Sequence, residues 1–479
     1  MSPTPIYRQL KIGLFGIGLD TYWPQFPGLQ SCLSGYVMQV ANRLARPRVE
    51  VVNLGLVDSV DAAFAAGHRF RAEDVDVIFL YVTTYALSST VLPIVRRAKV
   101  PVIILNLQPT AALDYVRFNQ LPDRTTMTSE WLSFCNSCPV PEIANVFLRS
   151  GIPFHQVTGS LDDEACWREI DEWVEAVRVV DVMAHNRLGV MGHYYNGMLD
   201  IYSDLTQLCA QFGGHIEIIE VDELSALRRD VKPNEISARV DLFKSVFDVQ
   251  SDCAADQLAA AAQTSIALDQ LVHAHGLGSL AYYYMGSEGS ENRTSIATII
   301  LGNSLLTARG VPVAGELEIK NAQAMKILDS FGVGGSFTEY YAMDFRDDVV
   351  LMGHDGPGHI GIAEGAIRVR PLQVYHGKVG QGLSVEMSVR RGPVTLLSVV
   401  QTRDGNLKLL AAEGESVAGP TLQIGNTNSR YRFHCGAKNF VEQWNAHGPA
   451  HHCAVGVGHI LSRLQKFAAL LRMELAIVA

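Results

Sequence analysis

The strongest constraint on the fold is a set of short, unbroken apolar runs rich in β-branched residues, each separated from the next by a stretch with helical spacing. A strand buried on both faces reads as a continuous hydrophobic run, and parallel neighbours need a helical crossover between them. In the first part of the chain the strand runs are Ile12–Phe15, Val49–Leu54, Val75–Tyr81 and Val102–Asn106. Helical patterns occupy Leu29–Leu44, Val60–Ala65, Ser88–Arg97 and Pro141–Arg149. A second cycle follows the acidic helix near Glu164–Val180, with strands at Arg187–Met191, Ile216–Val221 and Ser279–Tyr284. Its helices are expected at Leu199–Gln211, Glu235–Val249, Ala254–His275, Asn292–Arg309 and Ile319–Phe331. From about Gly334 the pattern changes to strands at Leu383–Arg390, Pro393–Thr402, Leu407–Ala412 and Tyr431–Cys435, with tight turns at Arg391-Gly392 and Asp404-Gly405. A helix at Ile460–Leu471 and a strand at Glu474–Ala479 close the chain. The expected class is α/β: two doubly wound parallel-sheet domains, 1–170 and 171–333, then a C-terminal antiparallel β-rich, barrel-like domain, 334–479.

A length of 479 residues, 48% of them apolar, supports several such cores. A net charge of −10 with no Lys/Arg stripe excludes nucleic acid as the expected partner. No apolar run approaches the ~20 residues of a membrane span, and Met1 to Leu10 has no signal-like pattern, so a cytoplasmic protein without a membrane partner is expected. The eight cysteines are scattered and make no disulfide framework. Cys135-Asn-Ser-Cys138 is the one C-x-x-C, read as a loop at a helix start or as a redox pair; zinc would need a second pair nearby.

The first strand runs into Gly13-Leu-Phe-Gly16-Ile-Gly18, but Thr21 and the run Tyr22-Trp23-Pro24-Gln25-Phe26-Pro27 cannot open a phosphate-binding helix. Aromatic and amide groups at the carboxyl end of a strand suit a sugar better: ring faces pack on C–H groups, while Asp20 and Gln25 can bond hydroxyls. A surface loop packed by its own aromatics is the plainer reading. His193 in Gly192-His193-Tyr194-Tyr195 also falls at a strand end, as core or as a ligand contact.

Two glutamates and two histidines of the C-terminal third form the sharper constellation. They are Glu316 in Ala-Gly-Glu-Leu-Glu, Glu339 in Gly-Gly-Ser-Phe-Thr-Glu, His354 in Leu-Met-Gly-His-Asp-Gly-Pro-Gly-His, and His452 in Pro-Ala-His-His-Cys. Two carboxylates and two imidazoles make an O/N ligand set for a divalent transition metal. Glycines beside His354 allow close backbone approach, and of the adjacent His451 and His452 a strand would present only one to a given face. An ion chelating a carbonyl and its neighbouring hydroxyl acidifies the C–H between them, and carboxylates can carry that proton from one carbon to the next through a cis-enediol. That is aldose–ketose isomerisation.

These segments resemble the L-arabinose isomerase and L-fucose isomerase superfamily: Gly315-Glu316 before a helix, Gly-Gly-Ser-Phe-Thr-Glu339 with an aromatic after it, Val-Leu-Met-Gly-His354, and Ala450-His451-His452. The stretch from about Val311 to His354 is similar to arabinose isomerase, and the Pro449–Ile460 tail looks more like fucose isomerase, whose matching histidine falls on His452. The resemblance implies two α/β domains and a β-rich third. It implies Mn²⁺ held by Glu316, Glu339, His354 and His452, with Co²⁺ or Mg²⁺ as other divalent candidates, and proton transfer by Glu316 and Glu339. It implies a homotrimer or homohexamer whose sites are completed at subunit boundaries, with the Trp131–Glu142 loop near a neighbour's site. The sugar-reading loops differ: Gly18 to Gln25 replaces the arabinose-type loop, and Asp355-Gly-Pro-Gly-His359 is more polar after the metal histidine. Substrate contacts are expected from Asp20, Tyr22, Trp23, Gln25, His193, Asp355, His359 and His451. The expected activity is metal-dependent aldose–ketose isomerisation of a small sugar, an intramolecular oxidoreductase reaction. The alternatives are an epimerase or isomerase of a modified sugar, and a non-catalytic cytoplasmic sugar-binding protein.

Overall fold

The structure is a computed structural model that describes residues 8–372 and 381–479; the opening segment 1–7, part of the stretch read for a signal, lies outside them. The chain forms two compact units that meet in sequence between Asp181 and Val182.

The first unit is built on a parallel sheet of β1 (Leu10–Ile17), β2 (Val49–Val57), β3 (Val77–Tyr81), β4 (Val102–Gln108) and β5 (Phe154–Ser160), in the order β2-β1-β3-β4-β5. Ile78, Leu80 and Ile104 join one core with Phe70, Ile94 and Phe147 from the helices. The alternating residues Phe79, Tyr81 and Ile103 are equally buried, so both faces are covered, which is why these strands read as continuous apolar runs. The strand order reverses between β1 and β3, the position where open parallel sheets leave a crevice at their carboxyl ends.

Two differences from expectation bear on this sheet and its packing. The helix expected to stop at Ala65 continues to Glu73 through Gly67, where a Cβ would lie 3.0 Å from the Pro93 carbonyl oxygen of the helix Leu92–Ala98. The glycine there lets two helices approach rather than breaking one. Strand β5 was not legible because it is an edge strand, with only Phe154 and Val157 apolar in seven residues.

The second unit carries three sheets. Strands β6 (Arg187–Gly192), β7 (His215–Ile219), β9 (Ser279–Tyr283) and β10 (Val313–Ala314) form a parallel sheet in the order β10-β9-β6-β7. Its core is shared by Met191, Ile219, Leu280 and Tyr282 with Leu268, Leu271 and Leu301 of the helices. Strand β8 (Asp248–Val249) pairs with β13 (Arg368–Pro371), which pairs with β14 (Leu383–Glu386). The strand expected over Leu383–Arg390 is therefore only four residues, and its Val385 packs into the α/β core rather than the C-terminal sheet.

The last sheet closes on itself. Strands β15 (Gly392–Gln401), β18 (His452–Val457), β11 (Ser336–Asp344), β12 (Val349–His354), β17 (Thr427–Phe433) and β16 (Leu407–Val417) pair antiparallel in that order, and β16 pairs back with β15. This is a six-stranded antiparallel barrel, with β19 (Glu474–Val478) added parallel to β16. Val350, Met352, Leu396, Leu410, Tyr431 and Val455 share its core cluster. The helix Ala437–Ala446 adds Phe440 and Trp444 to that cluster, an i, i+4 pair that sequence reading passed over. Among the described residues no helix is long and apolar enough to cross a membrane.

Candidate metal and active site

Three neighbouring barrel strands bring three of the four candidate ligands together. Glu339 on β11 stands directly across from His452, the first residue of β18, and its other neighbour is Gly353 on β12. His354 ends β12 one residue later. Gly353 is required by packing: a Cβ there would lie 1.8 Å from the Thr427 carbonyl oxygen, so the glycine admits strand β17 rather than a ligand.

Glu316 arrives from the parallel sheet, in the loop between β10 and the helix Ile319–Ser330. Glu316 and Leu317 both sit in the left-handed region, with φ of 56° and 59°. Such conformations cost non-glycine residues about 1–3 kcal/mol each and persist where the surroundings hold them. Here Leu317 N–H donates to the Tyr282 carbonyl at 3.0 Å, and Tyr195 N–H to the Glu316 carbonyl at 3.4 Å.

The side chains converge in two overlapping triads, Glu339–His354–His452 and Glu316–His451–His452, within each of which the candidate ligand atoms lie within 4.8 Å of one another. His452 Nε2 is 3.4 Å from Glu316 Oε2. The Nδ1 of His354 lies 2.8 Å from the Asp355 carbonyl oxygen, which can only accept, so the proton is on Nδ1 and the Nε2 lone pair is free to bind a cation. Phe337 supports both rings, with centroids 4.6 Å from His354 and 4.3 Å from His452.

Burial and neighbouring charge set the electrostatics. Burial, with His354, His451 and Lys320 as neighbours, pushes His452 well below the ordinary histidine range and keeps it neutral. Burial raises the Glu339 carboxyl, against the lowering effect of His354 and His451. Burial opposes protonation of His451, yet hydrogen bonding to Glu316 and Asp200 raises it to about 9.

Sequence reading missed a second layer here. Glu318 is wholly buried, its Oε2 is 3.9 Å from His452 Nδ1, and burial pushes it up to about 7 despite Lys320 at 3.5 Å. Lys320 is anchored to the Asp200 carbonyl at 2.9 Å, and the Asp200 carboxylate accepts from His451 at both its backbone N–H (2.9 Å) and Nδ1 (2.6 Å). The spacing Glu316-x-Glu318-x-Lys320 was the available signal. Neither ring nitrogen of His452 nor either oxygen of Glu318 has a hydrogen-bond partner among the described residues. A buried group left so costs about 1–3 kcal/mol. A cation bonded by His452 Nε2 would satisfy one of them, and the mixed carboxylate and imidazole set suits a divalent transition metal.

A pocket opens beside the cluster, lined by Glu316, His354, Asp355 and Phe337 on the polar side and by Tyr283, Met285, Ile296 and Ile300 among its apolar walls. Asp355 is thus at the pocket, with Oδ1 3.3 Å from His354 Nδ1. His193 packs edge-on against the pocket residue Tyr283, with ring centroids 5.3 Å apart. His451 reaches the cluster at its rim, its Nε2 3.8 Å from Glu316 Oε2. His359 instead faces Asp329 at 3.9 Å and is not among the described residues lining the pocket.

In the first unit, Asp20, Tyr22, Trp23 and Gln25 follow β1 at the carboxyl edge of the sheet. Trp23 Nε1 donates to Asp58 Oδ2 at 2.8 Å, after β2, and Tyr22 stacks edge-on against Phe26 at 5.9 Å. Tyr22 and Trp23 pack with Leu29, Leu33, Leu132 and Cys135, so the C-x-x-C segment and the aromatic loop share one cluster. Cys135 is buried and Cys138 exposed, both as free thiols.

Comparison with known proteins finds likeness in the barrel and beyond it. Residues 334–474 match the family model of the L-arabinose isomerase C-terminal domain. The L-arabinose isomerase of Shewanella sp. (strain ANA-3) is 22% identical over 341 residues, 67% of this chain and 66% of that protein. That of Shewanella baltica (strain OS223) is 22% identical over 328 residues, 65% of this chain and 63% of that protein. The chain thus spans just under two thirds of the length of these curated relatives. A solved structure of UDP-N-acetylglucosamine 2-epimerase from Rickettsia bellii aligns over 64% of this chain and 78% of its own at 10% identity, with a TM-score of 0.15, which carries no argument.

Proposed function

We propose that this chain is a metal-dependent aldose–ketose isomerase of the arabinose and fucose isomerase type, acting through a cis-enediol between C1 and C2 of a sugar. The observation that carries the reading is the pair of triads sharing His452, at the end of a barrel that matches the arabinose isomerase C-terminal domain. Glu316, Glu339, His354 and His452 would hold the ion, Mn²⁺ on the resemblance, with Co²⁺ or Mg²⁺ as other candidates. When bound, it supplies Lewis-acid polarisation of the sugar carbonyl and its neighbouring hydroxyl.

The remaining work falls to side chains of this chain. Glu316 and Glu339 come from different elements, a strained loop and a barrel strand, and on this reading would flank the substrate. One carboxylate takes the proton from C2 of the aldose and the protonated acid returns it to C1, while the hydroxyl proton moves to the former carbonyl oxygen; general acid–base action of this kind is worth ~10²–10⁴-fold. Asp355 fixes His354 through its carbonyl, and Asp200 fixes His451 at the rim. His193, His451 and Asp355, together with Asp20, Tyr22, Trp23 and Gln25, are the proposed sugar contacts and supports. The first three belong to the second unit and the others to the loop after β1, which a neighbouring subunit would supply in a homotrimer or homohexamer. On this reading the functional divisions are 1–170, 171–333 and 334–479, and the protein works in the cytoplasm. The apolar wall of Tyr283, Met285, Ile296 and Ile300 favours a second reading within the same chemistry, isomerisation or epimerisation of a modified sugar.

The test is metal content of the purified protein, followed by conversion of a panel of aldoses and ketoses with EDTA or added Mn²⁺. EDTA-sensitive interconversion is expected. Absence of both metal and turnover after Mn²⁺ is supplied would favour a sugar-binding protein instead.

A further inference from the structure

The pocket beside the triads contains one cation that the isomerase reading does not use. Arg293 is the only Lys or Arg among the described residues that line it. It lies in the short helix Glu291–Ala297, where its backbone N–H donates to Ser290 Oγ at 3.2 Å. The acid on the same helix, Glu291, is taken by Arg228. Arg293 is half-buried and forms no ion pair with another described residue. A guanidinium partly removed from water with no carboxylate beside it is a receptor for one, because its planar fork of N–H donors matches the two oxygens of a carboxylate.

We propose that the pocket takes an acidic sugar, an aldose or ketose whose carboxylate lies at the end remote from the reacting carbonyl and is held by Arg293. This rests on the isomerase reading and names its substrate class. On the isomerase reading the triads engage the sugar carbonyl and its neighbouring hydroxyl, which leaves Arg293, the one Lys or Arg of the described lining, for a carboxylate at the other end of the sugar. A carboxylate fits better than a phosphate: a dianion would call for a second cation, and the described lining offers none. The apolar walls of Tyr283, Met285, Ile296 and Ile300 suit the C–H faces of a sugar ring or chain and give no partner to a further charge.

The experiment compares D-glucuronate and D-galacturonate with glucose, galactose, L-arabinose and L-fucose, and with glucose 6-phosphate, using the full chain loaded with Mn²⁺. At least one uronate is expected to exceed its neutral parent in kcat/KM by about 10–100-fold, the worth of a hydrogen-bonded charge pair. Arg293→Met is expected to collapse that ratio, mainly through KM, and Arg293→Lys to keep part of it. The wild-type ratio needs no variant, so a substitution that fails to fold does not remove the test. Preference for neutral sugars, or for the phosphate, would overturn the inference while leaving the isomerase reading in place. No conversion of any sugar by metal-loaded protein would remove that reading and the inference with it.

Discussion

Glu318 and His452 face each other with both side chains wholly excluded from solvent, the Glu318 Oε2 3.9 Å from the His452 Nδ1. A carboxylate behind a metal-binding imidazole orients the ring and raises its basicity, and losing such a partner costs about 10–100-fold in metal affinity. Glu318→Gln is therefore expected to weaken Mn²⁺ binding by about that factor in a chelator-competition titration. Glu318→Asp should lie between it and wild type. Equal affinity in all three would leave Glu318 with a packing role alone.

The two glutamates of the triads carry a separate expectation. Glu316→Gln and Glu339→Gln each keep shape while removing a proton carrier, so turnover should fall by about 10²–10⁴-fold with the fold intact by circular dichroism. Full activity in both variants would contradict the assigned roles.

Gly353 ties the stability of the barrel to the position of His354. A methyl group at that Cα would lie 1.8 Å from the Thr427 carbonyl oxygen, an overlap only strand displacement can relieve. Overpacking typically costs about 1–3 kcal/mol, and backbone overlap puts Gly353→Ala at or above the upper end. Urea unfolding reads this directly, and an unchanged midpoint would contradict the strand spacing.

Lys326 supplies a pH-dependent term away from the ligands. Burial lowers its pKa, against the raising effect of Asp329, and its ammonium donates to the Gly310 carbonyl at 2.8 Å. Because the folded value lies below the unfolded one, the unfolded chain binds more protons between the two. Stability relative to Lys326→Met should therefore rise as pH climbs through the folded value toward the ordinary lysine value of 10.5, and flatten above it. Parallel pH profiles for the two proteins would contradict a buried, depressed lysine.

The loop after β1 is braced by the bond from Trp23 to Asp58. If that loop reads sugar, Asp58→Ala should raise KM with little change in kcat, since it loosens binding without touching the proton carriers. An unchanged KM would return Asp20, Tyr22, Trp23 and Gln25 to the plainer role of a self-packed surface loop.

The parts of the fold legible in sequence are those where burial leaves a one-dimensional trace. Doubly covered strands such as β3 and β4 read as unbroken apolar runs, whereas the edge strand β5 exposes polar residues and does not. The mixed sheet of β8, β13 and β14 was hidden because its strands are only two to four residues long and β8 lies more than a hundred residues from its partner β13. At the site, Glu316, Glu339, His354 and His452 stood out through their glycine-rich surroundings, and the structure brings them together. Glu318 and Asp200 did not stand out: Glu318 looks like any solvated carboxylate until the chain folds over it, and Asp200, still exposed in the fold, meets His451 only across 251 residues of sequence. His359 shows the converse, since its motif suggested the pocket and the fold turns it to Asp329.

The central claim is tested most directly by soaking crystals with Mn²⁺ and locating the ion by anomalous scattering at the manganese edge. The account predicts a single strong peak at bonding distance from Glu316, Glu339, His354 and His452. A peak elsewhere, or none at these four residues, would contradict it.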